Sequence, residues 1–511
     1  MIPRDRKFTK EHEWVLVEDG VASIGLTDFA QHSLGDIVFV ELPVVGDAVE
    51  AGGRLAVVES VKAASDVFCA AAGEVVEVNA ELEDAPERIN EAPWEAWIAR
   101  VRVEALDEGA LLDADAYEAL VKAEVLRALR GYAAENHTER PMFRGAGAYR
   151  HFIPAIVDAL TERGEFLTAY TPYQPEMSQG MLQAIFEYQT LIARLCGMDA
   201  SNASVYDGAT AAAEAMLMCR DSTRRKKMLV SLSLHPDVLA VLRTYAPCAG
   251  VELVEIPLEN GVTDVRAVAE HAEGAAGLIA PSPNYFGLLE DTAALTQAIH
   301  AARGLMVSYV NPIAMGICKK PGALGADIAV GDGQPLGLPL SWGGPYVGFM
   351  AVKQRYLRNL PGRIVGETVD DAGLRAYVLT LQAREQHIRR EKATSNICSN
   401  QSLCAIRAAL YLTAMGPEGL RETAESCLQK AHYAAEGICS LHGMRLRYSG
   451  PFFHEFVVDS DRPAAQIDEA LREMGIVGGL PLDAHGILYC VTEMNTRREI
   501  DALVRGLEVI A

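Results

Sequence analysis

The hydrophobic pattern of this 511-residue chain changes once, near residue 113, and the change requires at least two different architectures. Residues 8–103 form short apolar segments separated by Gly, Asp and Pro, which is typical of a small antiparallel sandwich or barrel. A single helical register follows from about 113 to 136, and it predicts a connector stiffer than a Gly/Ser tether. The predicted strands are 13–17, 22–26, 37–41, 55–59, 66–69, 74–78 and 97–103.

From about residue 150 to 365, helical runs alternate with short apolar strands. This alternation predicts an α/β domain with a largely parallel sheet. Its predicted strands are 228–232, 251–256, 277–280, 305–310, 328–330 and 347–352. A smaller α+β domain is predicted from about residue 395, with a helical run at 403–415, strands at 455–458 and 486–491, and a final helix after Asn495 and Thr496.

The length indicates about three domains, because single hydrophobic cores stop growing at roughly 250–300 residues. No apolar stretch approaches the roughly 18 residues that a membrane-spanning helix needs. The basic residues Arg4, Arg6 and Lys7 lack the apolar segment behind them that marks a secretory signal. We therefore expect a cytoplasmic protein without membrane contact. The ten cysteines are scattered without a CxxC pair, so we assign them no role.

The net charge of -23 is concentrated in the first domain. Residues 1–118 contain 9 Lys and Arg against 26 Asp and Glu, a net charge of -17, which leaves -6 for the rest of the chain. An acidic module repels nucleic acid and favours partners with basic surfaces, because summed charge steers encounters. Solubility alone is the alternative explanation.

Lys62 lies in the run ESVKAASD (59–66), between two strand-like segments. An amine at the tip of a hairpin is accessible to a ligase, and a cofactor attached there would project on a long, jointed arm. A solvated surface lysine is the ordinary alternative for an arbitrary loop. The flanking residues favour the attachment site. Biotin carriers place Met on both sides of their lysine, whereas Val61 and Ala63 flank Lys62.

Residues 7 to about 120 resemble the H protein of the glycine cleavage system. Besides ESVKAASDV (59–67), the matching strings are KEHEW (10–14), GLTDFA (25–30), LGDIV (34–38), GEVVEVN (73–79) and INEAP (89–93), in that order. The resemblance implies covalent lipoate on Lys62, whose disulfide accepts an aminomethyl group and then visits successive active sites.

From about Phe143 to its end, the chain resembles the alpha subunit of the P protein of the same system, glycine dehydrogenase (decarboxylating) subunit 1. The matching strings are GAGAY (145–149), YTPYQPE (170–176), QG (179–180), YDGAT (206–210), GQPLG (333–337), PGRIVGET (361–368), the block 384–398, GGLPL (478–482) and TEMNT (492–496). The resemblance implies the fold of type I enzymes that use pyridoxal phosphate (PLP).

A PLP site in that fold needs an acid at the end of a central strand and a downstream lysine that forms the Schiff base. Asn311 and Pro312 stand where the acid is expected. The lysine is expected around residues 333–335, where the sequence is Gly-Gln-Pro. The resemblance therefore implies that PLP is bound by a partner beta subunit and not by this chain. Asp207, before Gly208, is predicted to cap a helix.

The loop from Tyr170 to Gln179 is dense in aromatic and polar groups. Loops often carry function, so we consider Tyr170, Tyr173, Glu176 and Gln179 candidates for a shared active site with the partner. An ordered turn set by Pro172 and Pro175 explains the same composition equally well.

Together, the two resemblances imply a multidomain protein. It would comprise an all-β lipoyl or H-protein-like sandwich with a C-terminal helix, a type I PLP-transferase-like α/β domain and a small α+β domain. The expected bounds are 1–120 for the lipoyl domain, 121–142 for the helical connector, 143–394 for the large domain and 395–511 for the small domain.

The implied function is that of an oxidoreductase subunit, glycine dehydrogenase (aminomethyl-transferring), active with a separate beta subunit. The implied partners are the P-protein beta subunit in a hetero-oligomer and, through the lipoyl arm, aminomethyltransferase (T protein) and dihydrolipoamide dehydrogenase (L protein). The alternative is a non-catalytic scaffold or lipoyl-relay protein with a degenerate PLP fold.

Overall fold

The structure, a computed structural model, describes residues 2–61, 64–106, 108–136, 140–168, 171–393 and 395–510. The chain divides into two compact units, Met1–Thr138 and Glu139–Ala511. The finer division at residues 120, 142 and 394 stays a prediction. Within the described part of the chain, none of the helices combines the length and the hydropathy that crossing a membrane requires.

The N-terminal unit is built from two antiparallel sheets. Their orders are β1-β2-β3-β9-β8-β5 and β4-β6-β7. The strands are β1 (Lys7–Phe8), β2 (Glu13–Glu18), β3 (Val21–Leu26), β4 (Ile37–Glu41), β5 (Ala48–Val49), β6 (Arg54–Ser60), β7 (Ala64–Phe68), β8 (Ala71–Val78) and β9 (Trp97–Leu106). The predicted sandwich is confirmed. Strands β1 and β5 were not predicted, because two residues are too few to show alternation.

The helices of this unit are α1 (Asp28–Leu34), α2 (Glu81–Asp84), α3 (Arg88–Glu91) and α4 (Ala114–Ala134). Helix α4 confirms the predicted helical run, and Asp113 caps it by accepting a 2.8 Å hydrogen bond from the Ala116 amide. Its first turn packs on the sandwich through Tyr117, which is buried and stacks on Phe8 with ring centroids 4.6 Å apart. The Tyr117 hydroxyl lies 2.7 Å from the hydroxyl of Thr27. One aromatic side chain thus anchors the start of α4.

The C-terminal unit contains a mixed sheet of order β10-β18-β17-β16-β15-β11-β12. Strands β11, β12, β15, β16 and β17 run parallel, and β18 and β10 complete one edge in antiparallel pairs, so the largely parallel sheet is confirmed. The strands of the whole C-terminal unit are β10 (Ala200–Ser201), β11 (Lys227–Ser231), β12 (Glu252–Ile256), β13 (Leu258–Glu259), β14 (Val262–Thr263), β15 (Ala275–Pro281), β16 (Leu305–Tyr309), β17 (Ile328–Asp332), β18 (Gly348–Val352), β19 (Ile364–Val369), β20 (Arg375–Thr380), β21 (Met444–Leu446), β22 (Glu455–Ser460), β23 (Leu480–Pro481) and β24 (Gly486–Cys490).

Helices cover both faces of this sheet. The helices of the whole C-terminal unit are α5 (Ala155–Thr161), α6 (Gln179–Cys196), α7 (Gly208–Thr223), α8 (Pro236–Ala249), α9 (Val265–His271), α10 (Thr292–Ala301), α11 (Gln386–Arg389), α12 (Ser402–Cys439), α13 (Ala464–Glu473) and α14 (Arg497–Ile510). Short 3-10 helices are Gly164–Phe166, Ala314–Gly316, Ser341–Gly343, Gln354–Asn359, Gln382–Arg384 and Arg390–Lys392. Met306 belongs to one buried cluster and Val307 to another, so successive residues of β16 face opposite cores. Burial on both faces explains the unbroken apolar runs of the sequence.

The last part of the unit is a sheet of order β21-β22-β24-β23, with α13 and α14 in the same hydrophobic cluster as the end of α12. The helix predicted at 403–415 is only the first part of α12, which resumes after a break at Gly416 and Pro417. Gly416 has φ +61° and can take that conformation without a Cβ penalty, while Pro417 disrupts the regular hydrogen-bond ladder. The β19–β20 hairpin was not predicted.

Candidate functional site

The predicted lysine belongs to the hairpin formed by β6 and β7. Lys62 itself lies outside the described residues. The last pair of the ladder between these strands joins Glu59 to Ala64. Val61 is exposed, and its amide donates a 3.1 Å hydrogen bond to the Asp36 carbonyl. The described stem therefore ends directly beside the position of the lysine.

The stem of this hairpin is anchored in the core of the sandwich. Val58 and Val67 are buried there, whereas Glu59 and Asp66, on the other face, are exposed. Strand β4 pairs with β6 and leaves the apolar side chain of Phe39 half exposed next to the stem. The stem of the hairpin is thus packed into the core, and apolar and acidic side chains lie on the surface near its end.

A second candidate site is a cavity of about 420 Å³ at the carboxyl ends of the parallel strands of the C-terminal unit. Ligands of open α/β sheets bind at such ends. Among the described residues, the lining contains no lysine. It includes the ends of β15, β16 and β17 and the start of α7, with the residues Ala146, Gly147, Ala148, Tyr149, Asp207, Ala209, His235, Asp237, Val238, Pro281, Pro283, Asn284, Tyr285, Tyr309, Val310, Asn311, Pro312, Asp332, Pro335, Gly343 and Tyr346.

The N-terminus of α7 is already occupied by two carboxylates of the chain. Asp207 accepts a 2.7 Å hydrogen bond from the Thr210 amide, which confirms the predicted cap. Asp332 accepts a 3.0 Å hydrogen bond from the Gly208 amide. Burial raises the pKa of Asp332 to about 6, and Asp207 adds to that effect. Amides that bind an anion at other helix N-termini are therefore satisfied internally here.

At the end of β16, an amide stands in the position predicted for an acid. The Asn311 side-chain oxygen accepts hydrogen bonds from the amides of Ile313, at 2.9 Å, and Ala314, at 3.4 Å. Its Nδ2 has no hydrogen-bond partner among the described residues. Asn311 thus caps the following turn and offers the cavity a neutral donor instead of a negative charge.

Gln334, at the position predicted for the Schiff-base lysine, is buried and fully engaged. Its Oε1 accepts a 2.8 Å hydrogen bond from the Tyr149 amide, and its Nε2 donates to the carbonyls of Tyr149, at 2.8 Å, and Leu338, at 2.9 Å. The side chain therefore ties the 145–149 segment to the wall of the cavity. It can neither form an imine nor leave its partners without exposing buried backbone groups.

Glu455 holds the same segment from the other side. It accepts hydrogen bonds from the Ala146 amide, at 2.7 Å, and from the Tyr149 hydroxyl, at 2.8 Å. Burial raises the pKa of Glu455 to about 7. The role of this residue could not be predicted from the sequence, because its partners are 309 and 306 positions away. The GAGAY string was the only local signal of the contact.

The predicted loop at 170–179 is partly described, and Tyr170 lies outside the described residues. The Arg363 guanidinium lies 4.3 Å from the centre of the half-buried Tyr173 ring. Burial raises the pKa of the Tyr173 hydroxyl above its usual range. Glu176 is exposed. Of the described candidates, Glu176 and Gln179 are thus exposed, whereas Tyr173 is half-buried.

Gln179 closes the loop by pairing with strand β20. It accepts a 2.8 Å hydrogen bond from the Tyr377 amide and donates a 3.0 Å hydrogen bond to the Tyr377 carbonyl. It also donates to the Pro175 carbonyl at 2.8 Å. These contacts give Gln179 a positioning role in the loop.

Comparisons with known proteins match both parts of the chain. The model of a family described as glycine cleavage system P-protein matches residues 109–507. The chain belongs to the glycine cleavage system P-protein family. The model of the glycine cleavage H-protein matches residues 6–124. The chain is thus an H-protein domain fused to a P-protein alpha subunit, as predicted, and this favours the carrier and enzyme fusion over the scaffold.

The P-protein part is similar to proteins of one name from two organisms. The chain is 54% identical over 401 residues to the probable glycine dehydrogenase (decarboxylating) subunit 1 of Desulfitobacterium hafniense, covering 76% of this chain and 90% of the relative. It is 52% identical over 398 residues to that of Moorella thermoacetica, covering 76% and 89%. The shared length includes most of each relative.

Two solved structures resemble the same part. Glycine decarboxylase (P-protein) of the glycine cleavage system, in inhibitor-bound form, is 45% identical with a TM-score of 0.74 and covers 76% of this chain and 90% of its own. Sphingosine-1-phosphate lyase from Burkholderia pseudomallei is 15% identical with a TM-score of 0.57, covers 75% and 89%, and shows the fold alone. The predicted fold class is confirmed. The H-protein domain implies a lipoate carrier, and the P-protein family uses PLP.

Proposed function

We propose that this chain accepts, on a lipoyl group attached to Lys62, the aminomethyl group of glycine that a PLP-bearing beta subunit has decarboxylated. The family of both parts of the chain supports this proposal. The observation that carries it is the engagement of Gln334, because the residue at the expected Schiff-base position is an amide bound to Tyr149 and Leu338. One polypeptide then supplies the carrier, and its partner supplies the decarboxylating cofactor.

The residues of the cavity do not fit PLP. Asn311 cannot supply the negative charge that keeps a pyridine nitrogen protonated. Carboxylates of Asp207 and Asp332 occupy two amides at the N-terminus of α7, those of Thr210 and Gly208, where a phosphate would otherwise bind. We therefore assign no PLP-dependent step to this chain and place that cofactor in the beta subunit.

The end of the β6–β7 hairpin fits a covalent carrier. A lipoyl group supplies a disulfide that takes up the aminomethyl unit as its S–S bond is reduced. Buried Val58 and Val67 anchor the stem of the hairpin in the core of the sandwich. Fusion to the alpha subunit keeps the carrier at a local concentration on the order of millimolar without any new contact.

The loop containing Tyr170, Tyr173, Glu176 and Gln179 is our candidate for the surface that completes the site of the beta subunit. Tyr173 and Gln179 hold the loop against Arg363 and Tyr377. Glu176 remains exposed at its tip. We propose a hetero-oligomer with the beta subunit, and further exchange of the lipoyl arm with aminomethyltransferase and dihydrolipoamide dehydrogenase.

Reconstitution with a separately purified beta subunit tests the proposal. Glycine–bicarbonate exchange should require both proteins, and the mass of the intact chain should increase by one lipoyl group when a lipoate ligase is present. Full exchange by this chain alone contradicts the proposal that the beta subunit supplies the decarboxylating cofactor. A lipoylated chain that never stimulates the beta subunit supports the scaffold instead.

A further inference from the structure

A histidine, a cysteine and a glutamate meet in the interior of the C-terminal unit, in a cluster that the proposed function does not use. Ligand atoms of His151, Cys427 and Glu493 all lie within 4.8 Å of one another. His151 Nδ1 is 2.8 Å, and Cys427 Sγ 3.2 Å, from the same Glu493 Oε2. The side chains of His151 and Glu493 are 2% and 13% exposed, and Cys427 is buried. Nitrogen, sulfur and oxygen donors are therefore gathered away from solvent.

Three separate elements bring these donors together. His151 follows the 145–149 segment, Cys427 lies within α12, and Glu493 follows β24. The Phe152 amide donates a 2.6 Å hydrogen bond to the second oxygen of Glu493, and the Lys430 ammonium donates to the Glu493 carbonyl. The donor set is thus held in place by the fold and does not depend on one flexible loop.

An unpaired imidazole beside the cluster is a second, independent sign of a ligand. His454 is 1% exposed, and neither of its ring nitrogens has a hydrogen-bond partner among the described residues. Its ring centre is 6.4 Å from that of His151, whose own Nε2 also lacks a partner in the described structure. Buried polar atoms are rarely left unpaired in native proteins.

We propose that His151, Cys427 and Glu493 form a binding site for a borderline divalent cation, with Zn²⁺ as the best match. Imidazole, thiolate and carboxylate are zinc's three protein donors, at about 2.0–2.3 Å from the ion. Donors around one tetrahedral ion are therefore roughly 3.3–3.8 Å apart. The present contacts of 2.8 and 3.2 Å need only small side-chain shifts to admit it. Mg²⁺ and Ca²⁺ prefer all-oxygen sites.

Binding the ion replaces protons and changes no oxidation state. The Cys427 thiol releases its proton to solvent and binds as a thiolate, and Glu493 binds through a carboxylate oxygen. His151 binds through Nδ1 in the tautomer that carries its proton on Nε2. One proton thus leaves the protein for each Zn²⁺ bound.

The proposed ion would join the 145–151 region to α12 and to the end of β24. The same region carries Tyr149, which Gln334 ties to the cavity wall. The site would therefore have a structural role, since the ion would hold the segment that carries Tyr149, one of the residues lining the cavity.

Metal titration of the full-length chain tests this site. Chelator-treated protein should bind about one equivalent of Co²⁺ with thiolate-to-cobalt absorption in the near ultraviolet, and Zn²⁺ should displace it. Cys427→Ser should remove that absorption and weaken Zn²⁺ binding by at least about 100-fold. Cys439→Ser, a half-buried cysteine on the same helix, is the matched control and should bind as the original chain does.

Folding is checked separately by circular dichroism and thermal unfolding before each titration. Glu493→Gln keeps the shape of the side chain and should still weaken binding, so it replaces Cys427→Ser if that variant does not fold. Folded original protein that shows no thiolate absorption with Co²⁺ overturns the proposal. Retention of that absorption by folded Cys427→Ser, or unweakened Zn²⁺ binding by folded Glu493→Gln, overturns it as well.

Discussion

The lysine hairpin of the N-terminal unit and the cavity of the C-terminal unit depend on different numbers of side chains. The hairpin has to present one amine, and its stem is anchored by apolar residues such as Val58 and Val67. The cavity corresponds to a site that needs an acid, a lysine and free helix amides together. A carrier lysine can therefore be identified from one short sequence string. A site built from several distant side chains loses its chemistry when any one of them changes.

Residues of the cavity that stand at positions expected for cofactor contacts stabilise neighbouring segments of the chain instead. Gln334 bonds to the backbone of Tyr149, and Asp332 bonds to the amides of Gly208 and Gln334. Gln334 and the Gly208 amide thus have partners within the chain, whereas Asn311 Nδ2 has none among the described residues. We therefore expect stability and catalysis to be coupled differently in the two regions: a change at Lys62 should leave the fold intact, whereas a change at Gln334 should lower stability.

The largest expected effect is the loss of all transfer in Lys62→Arg. Arginine retains the positive charge but cannot form the amide bond to lipoate, so the lipoyl mass increment and the lipoyl-dependent uptake of the aminomethyl group should both disappear. Thermal stability should stay within about 0.5 kcal/mol, since the neighbouring Val61 is exposed and surface substitutions usually change stability by no more than that. Mass spectrometry and calorimetry measure the two outcomes.

Lys10→Arg is the matched control, because Lys10 is an exposed lysine of the same unit. It should retain both the lipoyl group and transfer. A lipoyl adduct on Lys62→Arg would place the attachment at another lysine and break the comparison.

The next largest effect is a loss of stability in Gln334→Leu. Leucine removes three buried hydrogen bonds and leaves backbone groups of Tyr149 and Leu338 unpaired, at about 1–3 kcal/mol for each unsatisfied group. We expect the C-terminal unit to lose about 4 kcal/mol, measured by hydrogen exchange of β17 and β22. Gln466→Leu, on the exposed face of α13, should change stability by less than about 0.5 kcal/mol. Equal effects in the two variants would contradict the tethering role.

Much of the fold could be predicted from periodicity and turn residues. The strands of the mixed sheet other than β10 were found because their apolar residues form continuous runs. The helix α4 was found because its helical register is long. The short strands β1, β5, β10, β13, β14, β21 and β23, the β19–β20 hairpin and the continuation of α12 beyond Gly416 could not be found, since the local pattern is weak or interrupted there.

The sites divide in the same way. Lys62, Asn311 and Gln334 were identified from local strings and from their order along the chain. Glu455 and Glu493 were missed, because they act on the 145–152 segment from more than 300 residues away. Only the folded structure brings such residues together, so spacing in the sequence contains no trace of their contacts.

A smaller effect is expected from the pH dependence of Glu455. Burial raises its pKa from 4.5 to about 7, so between these values the unfolded chain has lost the proton that the folded chain still binds. Stability should therefore fall as pH rises from about 4.5 to 7 and then level off. Glu455→Gln cannot ionise and should lack about 2 kcal/mol of this decline. Denaturation at pH 5 and pH 8 measures it, and parallel profiles for both proteins contradict the assignment.

The smallest effects separate support from function in the 170–179 loop. Gln179→Ala loses the paired contacts with Tyr377 at a partly exposed site, so we expect a loss of about 1 kcal/mol. Glu176→Gln changes an exposed carboxylate and should leave stability within about 0.5 kcal/mol. If the loop completes the beta subunit's site, Glu176→Gln should nevertheless slow glycine–bicarbonate exchange in the reconstituted system. If exchange falls only in Gln179→Ala, and only in proportion to its lost stability, the loop is an ordered turn. The C-terminal unit would then have no functional surface at residues 170–179.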